Sequence, residues 1–176
     1  MISLPVLFYM YVVLFALIGA MRGWAKEILV SAGVIVALFL VTIMENFIPF
    51  FRDSLTPESA FWVRMSILAI MSFFGYQSPN LRRFIESGKF ARDRFEDFLL
   101  GGFLGALNGY LIFGTAWFYL REAGYPFDWI SAPDPITEVG QNAMRIMEIL
   151  PPQWLVPPLL YVAVAIAFVF ILVVFI

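Results

Sequence analysis

Five apolar runs dominate the sequence, and a helix needs about 20 such residues to cross a bilayer. They occupy residues 3–21, 28–44, 61–76, 98–120 and 155–176. The connecting segments carry most of the charged residues. No Lys or Arg precedes the first run, which favours a retained span over a signal peptide.

The composition favours lipid over water as the main solvent of the chain. Hydrophobic residues make up 62% of the 176 residues and charged residues 14%, whereas soluble domains have about 45–50% and about 25%. A soluble fold of this size would expose far more apolar surface than the few hundred Å² that is usual. We therefore predict an all-α, polytopic transmembrane helix bundle of about five spans, with the lipid bilayer as its surroundings.

Several kinds of chemistry are disfavoured by what the sequence lacks. The chain has no cysteine and no histidine, which removes thiolate metal sites and the commonest general base and haem ligand. Every carboxylate lies near a predicted span end, and no pair is placed for acid–base catalysis. We predict no enzymatic activity, no metal and no cofactor, and the net charge of −2 gives no reason to expect nucleic acid.

Basic residues are unevenly distributed between the two sides of the predicted bundle. Seven lie in or beside the first and third loops: Arg22, Lys26, Arg82, Arg83, Lys89, Arg92 and Arg94. Four lie on the other side: Arg52, Arg64, Arg121 and Arg145. Because basic loops stay in the cytoplasm, we predict that the N-terminus is outside and the C-terminus is cytoplasmic.

Two connecting segments, 78–97 and 134–150, have the pattern of amphipathic helices. Each opens with a capping residue followed by proline; the pairs are Ser78 with Pro79 and Asp134 with Pro135. The apolar stripe of the second segment consists of Ile136, Val139, Ala143, Ile146 and Leu150. We predict two interfacial helices, which either contact lipid or pack on the spans as loop helices.

The fourth run contains glycines that are spaced four residues apart, at Gly101, Gly105 and Gly109. Each glycine costs a helix about 1 kcal/mol relative to alanine, but a bare helix face lets another helix approach closely. We predict a packing face, within the fold or between protomers, and expect the polar Asn108 to bond to a neighbouring helix. A groove that lines a substrate path is the alternative.

Two motifs together resemble the colicin V production protein (CvpA) family. The first, G-x-x-R-G-x-x-x-E, consists of Gly19, Arg22, Gly23 and Glu27. The second, D-x-L-L-G-x-x-x-G-x-x-x-G, runs from Asp97 to Gly109. The resemblance covers about residues 4–120. Two positions depart from the family pattern, because no acidic residue precedes Glu27 and Asn108 stands where arginine is common.

The resemblance implies a small bacterial inner-membrane protein, typically of four spans, linked to colicin V export or production and without an established catalytic activity. Residues 1–120 would form that four-span domain, and residues 121–176 an outer loop with an amphipathic helix and a fifth span. We therefore expect a scaffold or accessory factor in an envelope or export process. Its partners would be other membrane proteins, or a second copy bound through the glycine face.

Two other functions are compatible with the same residues. An accessory structural subunit of a larger membrane complex, such as a respiratory or photosynthetic assembly, would also need no cofactor ligands of its own. A channel or carrier would need a path beside Asn108, and the other spans offer few polar companions to it.

Overall fold

The computed structural model describes residues 3–77 and 94–175. These residues form helices and no strand, which confirms the all-α prediction. The helices are α1 Leu4–Arg22, α2 Trp24–Phe47, α3 Pro49–Asp53, α4 Pro57–Tyr76, α5 Arg94–Glu122, α6 Glu138–Glu148, α7 Pro151–Trp154 and α8 Leu159–Phe175. The amphipathic helix predicted at 78–97 lies outside the described residues, apart from its last four positions, which belong to α5.

Four helices are long and apolar enough to cross a membrane: α1, α2, α4 and α5. The fifth run forms a shorter apolar helix, because α8 begins only at Leu159, after Pro157 and Pro158. Proline disfavours helical geometry in the residue before it. From there α8 runs to Phe175, the last residue that the structure describes. The structure thus has four candidate spans and one shorter apolar helix where the sequence predicted five spans.

Helix α2 is the centre of the bundle. It contributes ten buried residues, and α4, α5 and α8 all pack against it. Val34 and Leu38 of α2 share one apolar core with Leu68 of α4 and Leu111 of α5. The fully buried α2 face explains why so apolar a helix is needed in the middle, since its neighbours are protein on most sides.

The antiparallel helices give the bundle two chemically different ends. At one end Arg22, the last residue of α1, donates a hydrogen bond to the backbone oxygen of Tyr76 at the end of α4. At the other end Glu45 near the end of α2 forms an ion pair with Arg64 of α4. We call these the Arg22 end and the Glu45 end.

Helices α1 and α5 make the most extensive helix pair in the described structure, and they meet through glycine. Gly101 and Gly105 of α5 lie against Gly19 of α1, and Gly109 lies against the backbone of Tyr11 and the Cβ of Phe15. A methyl group on Gly105 would overlap the carbonyl oxygen of Phe15. We call this contact the glycine seam; it places α1 of the same chain on the face that carries Gly101, Gly105 and Gly109.

Helix α6 begins later than the sequence predicts. Thr137, not Asp134, caps it, because the Thr137 hydroxyl accepts a hydrogen bond from the backbone N–H of Gly140. The Asp134 carboxylate instead accepts from the backbone N–H of Ile136, two residues ahead. Such local turns satisfy backbone donors before a helix starts, so Pro135 lies outside the helix.

The apolar stripe predicted for this segment divides into a buried and an exposed part. Ala143, Ile146 and Leu150 are buried and pack in one cluster with Phe8 and Trp117 of the spans. The other two predicted members are exposed, Ile136 at 87% and Val139 at 57%. Ile136 precedes the helix, and Gly140 lies close to the Asp134 backbone.

The glycine seam predicts different outcomes for two neighbouring glycine-to-alanine substitutions. Gly102 points away from the tightest contact, and an added Cβ would lie 3.5 Å from the Cβ of Ala20, which is ordinary van der Waals contact. Gly105→Ala should lower the free energy of unfolding by about 1–3 kcal/mol through overpacking, whereas Gly102→Ala should be neutral or stabilising. Thermal unfolding of the detergent-purified protein measures both.

The two variants gain the same helix propensity, so their difference reports packing alone. Equal unfolding midpoints for Gly102→Ala and Gly105→Ala would contradict the seam.

Candidate functional site

The candidate site begins at the turn between α1 and α2. A single residue, Gly23, separates the two helices and has φ +87°, a conformation that residues with a side chain seldom adopt. Its N–H donates to the carbonyl oxygen of Gly19 at 2.9 Å. This tight turn brings Arg22 and Glu27 close together although they belong to different helices.

Asp97 of α5 closes this turn from the opposite side. Its carboxylate oxygen Oδ1 accepts a hydrogen bond from the backbone N–H of Trp24 at 3.1 Å. Trp24 is the first residue of α2, whose leading N–H groups have no partner within the helix. Asp97 thus caps the neighbouring α2, where a negative charge also favours the helix dipole. A side chain on Gly23 would collide with this carboxylate.

Glu27 is the centre of the site, and it is completely buried. One carboxylate oxygen, Oε1, accepts from Arg22 Nη1 at 2.8 Å. The other, Oε2, accepts from Asn108 Nδ2 at 2.8 Å. A buried carboxylate is tolerated when it is both paired and hydrogen-bonded, and here each oxygen has a charged or amide partner.

Asn108 joins α5 to α2 through both ends of its amide. The Nδ2 group also donates to the backbone oxygen of Glu27 at 2.9 Å. The Oδ1 atom accepts from the hydroxyl of Ser31 at 2.7 Å, one turn further along α2. These partners lie on α2, whereas the neighbouring glycines face α1.

Arg22 extends the cluster to α4. Its Nη2 donates to the backbone oxygen of Tyr76 at 3.2 Å, and its guanidinium lies 4.3 Å from the centre of the Tyr76 ring. Aromatic faces attract cations, and more strongly when water is excluded. The polar cluster therefore consists of Arg22, Glu27, Ser31, Tyr76 and Asn108, and it connects all four candidate spans.

The arrangement is suited to holding helices together. Within the described residues, both oxygens of Glu27 and both polar atoms of the Asn108 amide have partners inside the chain. A group that serves as general base must reach a proton on its substrate, and the fully buried Glu27 is closed to one. The cluster can thus supply strong, directional links between helices in a medium where polar groups must be satisfied internally.

Sequence reasoning identified most of these residues but not their association. Gly19, Arg22, Gly23, Glu27 and Asp97 came from motifs, and Asn108 from being the strongly polar residue of its run. Nothing in the pattern pointed to Tyr76. The position of Glu27 near a span end did not indicate that it is buried. The signal that could have indicated its contact with Arg22 was the spacing of the two residues around Gly23, a glycine that ends one helix and precedes the next.

Comparison with known proteins identifies the family of this chain. The family model described as Colicin V production protein matches residues 6–132, well over half of the sequence. The chain belongs to the colicin V production protein family. In the comparisons with curated proteins and with solved structures, nothing matches.

Both motifs of this family member lie within the matched range, and so do the glycine seam and the polar cluster. The match also covers the greater part of all four candidate spans, while α6, α7 and α8 follow it. Family membership and the four apolar helices indicate a multi-pass protein of the inner membrane.

The polar cluster predicts a specific cost for removing the Asn108 amide. Asn108→Leu keeps a similar volume but leaves Glu27 Oε2 and the Ser31 hydroxyl without this partner. An unsatisfied buried group costs about 1–3 kcal/mol, more when it is charged, so the free energy of unfolding in detergent should fall by at least that amount.

Ser66→Ala is the matched control, since the exposed Ser66 hydroxyl bonds only to a backbone oxygen of its own helix. Equal stability of Asn108→Leu and Ser66→Ala would show that the cluster contributes nothing.

Proposed function

We propose that this protein is a non-enzymatic membrane scaffold, acting as an accessory factor in an export process of the kind named by its family, colicin V production. The observation that carries the proposal is the polar cluster, in which Arg22, Glu27 and Asn108 are consumed in joining α1, α2, α4 and α5. Groups held in this way support a rigid framework. Because their hydrogen-bonding atoms already have partners inside the chain, these groups are not available to a substrate or a transported solute.

The glycine seam supports the same function. Close helix contact without side chains stabilises a bundle by dispersion, and α1 covers the face of Gly105 completely. A partner protein therefore has to bind elsewhere, on the outward apolar faces of the bundle. The exposed side of α1 offers one such face, formed by Val6, Met10, Val13 and Leu17.

For the orientation, we infer that the Arg22 end faces the cytoplasm. Arg22 and Lys26 lie at that end, where α4 ends and α5 begins, and residues 82–94 of the sequence include five basic residues. The Glu45 end carries four basic residues, Arg52, Arg64, Arg121 and Arg145. This asymmetry favours a cytoplasmic Arg22 end under the positive-inside rule.

Single cysteines test this orientation without background, since the chain has none of its own. Ser54 at the Glu45 end and Gln77 at the Arg22 end are both exposed. A membrane-impermeant maleimide applied to intact spheroplasts should label Ser54→Cys and spare Gln77→Cys, and lysis should make both reactive. Labelling of Gln77→Cys alone before lysis would reverse the orientation.

A secretion assay tests the function itself. In a bacterium that carries the colicin V genes but lacks its own family member, expression of this chain should restore colicin V to the medium. Gly105→Leu should abolish the restoration because it separates α1 from α5, while Gly102→Ala should retain it at equal membrane abundance.

Two results would count against the scaffold. Failure of the unaltered chain to restore secretion would remove its link to export. Solute flux through liposomes that disappears on Asn108→Leu would instead favour a carrier with a path beside that residue.

A further inference from the structure

A cleft of about 300 Å³ opens at the Glu45 end, opposite the polar cluster. Its walls come from α2, α4 and α5 and from the segment that joins α7 to α8. A volume of this size is within the range of small-molecule and lipid-headgroup sites. The family match ends before one of these walls, so the cleft combines the four-span bundle with the segment that follows it.

The cleft contains an ion pair between two spans. Arg64 Nη2 lies 2.6 Å from Glu45 Oε1, and the two side chains are 19% and 38% exposed. The Arg22–Glu27 pair at the other end is covered by the side-chain amide of Asn108. The Arg64–Glu45 pair instead borders the open cleft.

The charged side chains of the cleft have hydrogen-bonding groups that the other cleft residues do not satisfy. The ion pair occupies one N–H group of Arg64 out of the five that a guanidinium carries, and its buried Nε has no hydrogen-bond partner in the part of the chain that the structure describes. Glu122 adds a second carboxylate; its contact with Arg121 is 3.7 Å, beyond hydrogen-bond distance. The cleft thus offers donors for an anion and a carboxylate for a cation.

The position and walls of the cleft define the rest of the ligand. Glu45 lies two residues before the end of α2, and Glu122 is the last residue of α5, so the charges are at headgroup depth. Leu38, Val41 and Leu155 are buried and form an apolar floor, and Val156, which is 46% exposed, supplies an apolar wall at the surface. A ligand that fits has an anion and a cation side by side, joined to hydrocarbon.

We propose that this cleft binds the headgroup of a zwitterionic aminophospholipid of the phosphatidylethanolamine type. The phosphate accepts hydrogen bonds from Arg64, and the primary ammonium donates to Glu122 and to the second carboxylate oxygen of Glu45, Oε2. The acyl chains leave along the apolar wall into the bilayer. Bound lipid would join α2, α4 and α5 at the end that the polar cluster does not reach.

Three phospholipids with identical acyl chains test the proposal on the delipidated protein in detergent. Phosphatidylethanolamine has the phosphate and the N–H donors, phosphatidylcholine replaces these donors with methyl groups, and phosphatidylglycerol lacks the cation. Native mass spectrometry should show phosphatidylethanolamine bound about tenfold more tightly than either, since a charge-assisted hydrogen bond is at stake. Free phosphoethanolamine distinguishes a lipid from a soluble ligand and should bind far more weakly.

Two variants separate the roles of the cleft charges. Arg64→Gln should weaken all three lipids, because every one of them carries the phosphate. Glu122→Gln should lower only the affinity for phosphatidylethanolamine and so remove the preference, and as a half-exposed residue at a helix end it can be replaced without unfolding the bundle. Glu58→Gln, exposed at the same end and outside the cleft, is the control.

Equal affinity for the three lipids would overturn the proposal, and so would an unchanged preference in Glu122→Gln. Phosphoethanolamine binding as tightly as the lipid would also overturn it, because the ligand would then be soluble. Scaffold function in the secretion assay is measured separately, so either proposal can fail while the other stands.

Discussion

The close approach of α1 and α5 is the contact on which the rest of the bundle depends. In lipid, burial of apolar side chains against one another yields little net free energy, because the acyl chains are equally apolar. Helices associate instead through dense van der Waals contact, and glycine allows backbones to touch. At Gly19 and Gly105 this contact is backbone against backbone. It brings the start of α5 to the α1–α2 turn, where Asp97 caps α2, and the geometry of the polar cluster follows.

The two ends of the bundle use the same chemistry to different effect. At the Arg22 end, the Arg22–Glu27 pair has further hydrogen-bond partners, because the Asn108 amide donates to Glu27 and the Tyr76 backbone oxygen accepts from Arg22. Glu27 is completely buried there. At the Glu45 end, the Arg64–Glu45 pair borders a cleft, and the Nε of Arg64 has no hydrogen-bond partner among residues 3–77 and 94–175. Satisfied charges hold helices together, whereas incompletely satisfied charges are where a ligand gains affinity.

Much of the architecture was predictable because hydropathy acts locally. The four candidate spans coincide closely with apolar runs, and the glycines at positions 101, 105 and 109 indicated a packing face. The predicted fifth span was too long because Pro157 and Pro158 were counted within it. Of the stripe predicted for residues 134–150, Ala143, Ile146 and Leu150 pack on the spans, whereas Ile136 and Val139 are exposed, a division that periodicity alone does not give.

The sequence by itself determined that this is an all-α membrane protein with apolar runs near residues 3–21, 28–44, 61–76, 98–120 and 155–176, because helices in lipid must satisfy their own backbone and be apolar over a fixed length. Its two motifs also determined the family resemblance. Only the tertiary structure decided that α1 occupies the glycine face, that Asn108 bonds to α2, and that Glu27 is buried. These outcomes depend on the relative rotation and tilt of helices distant in sequence, which arise from the packing of whole surfaces and are not encoded in any one segment.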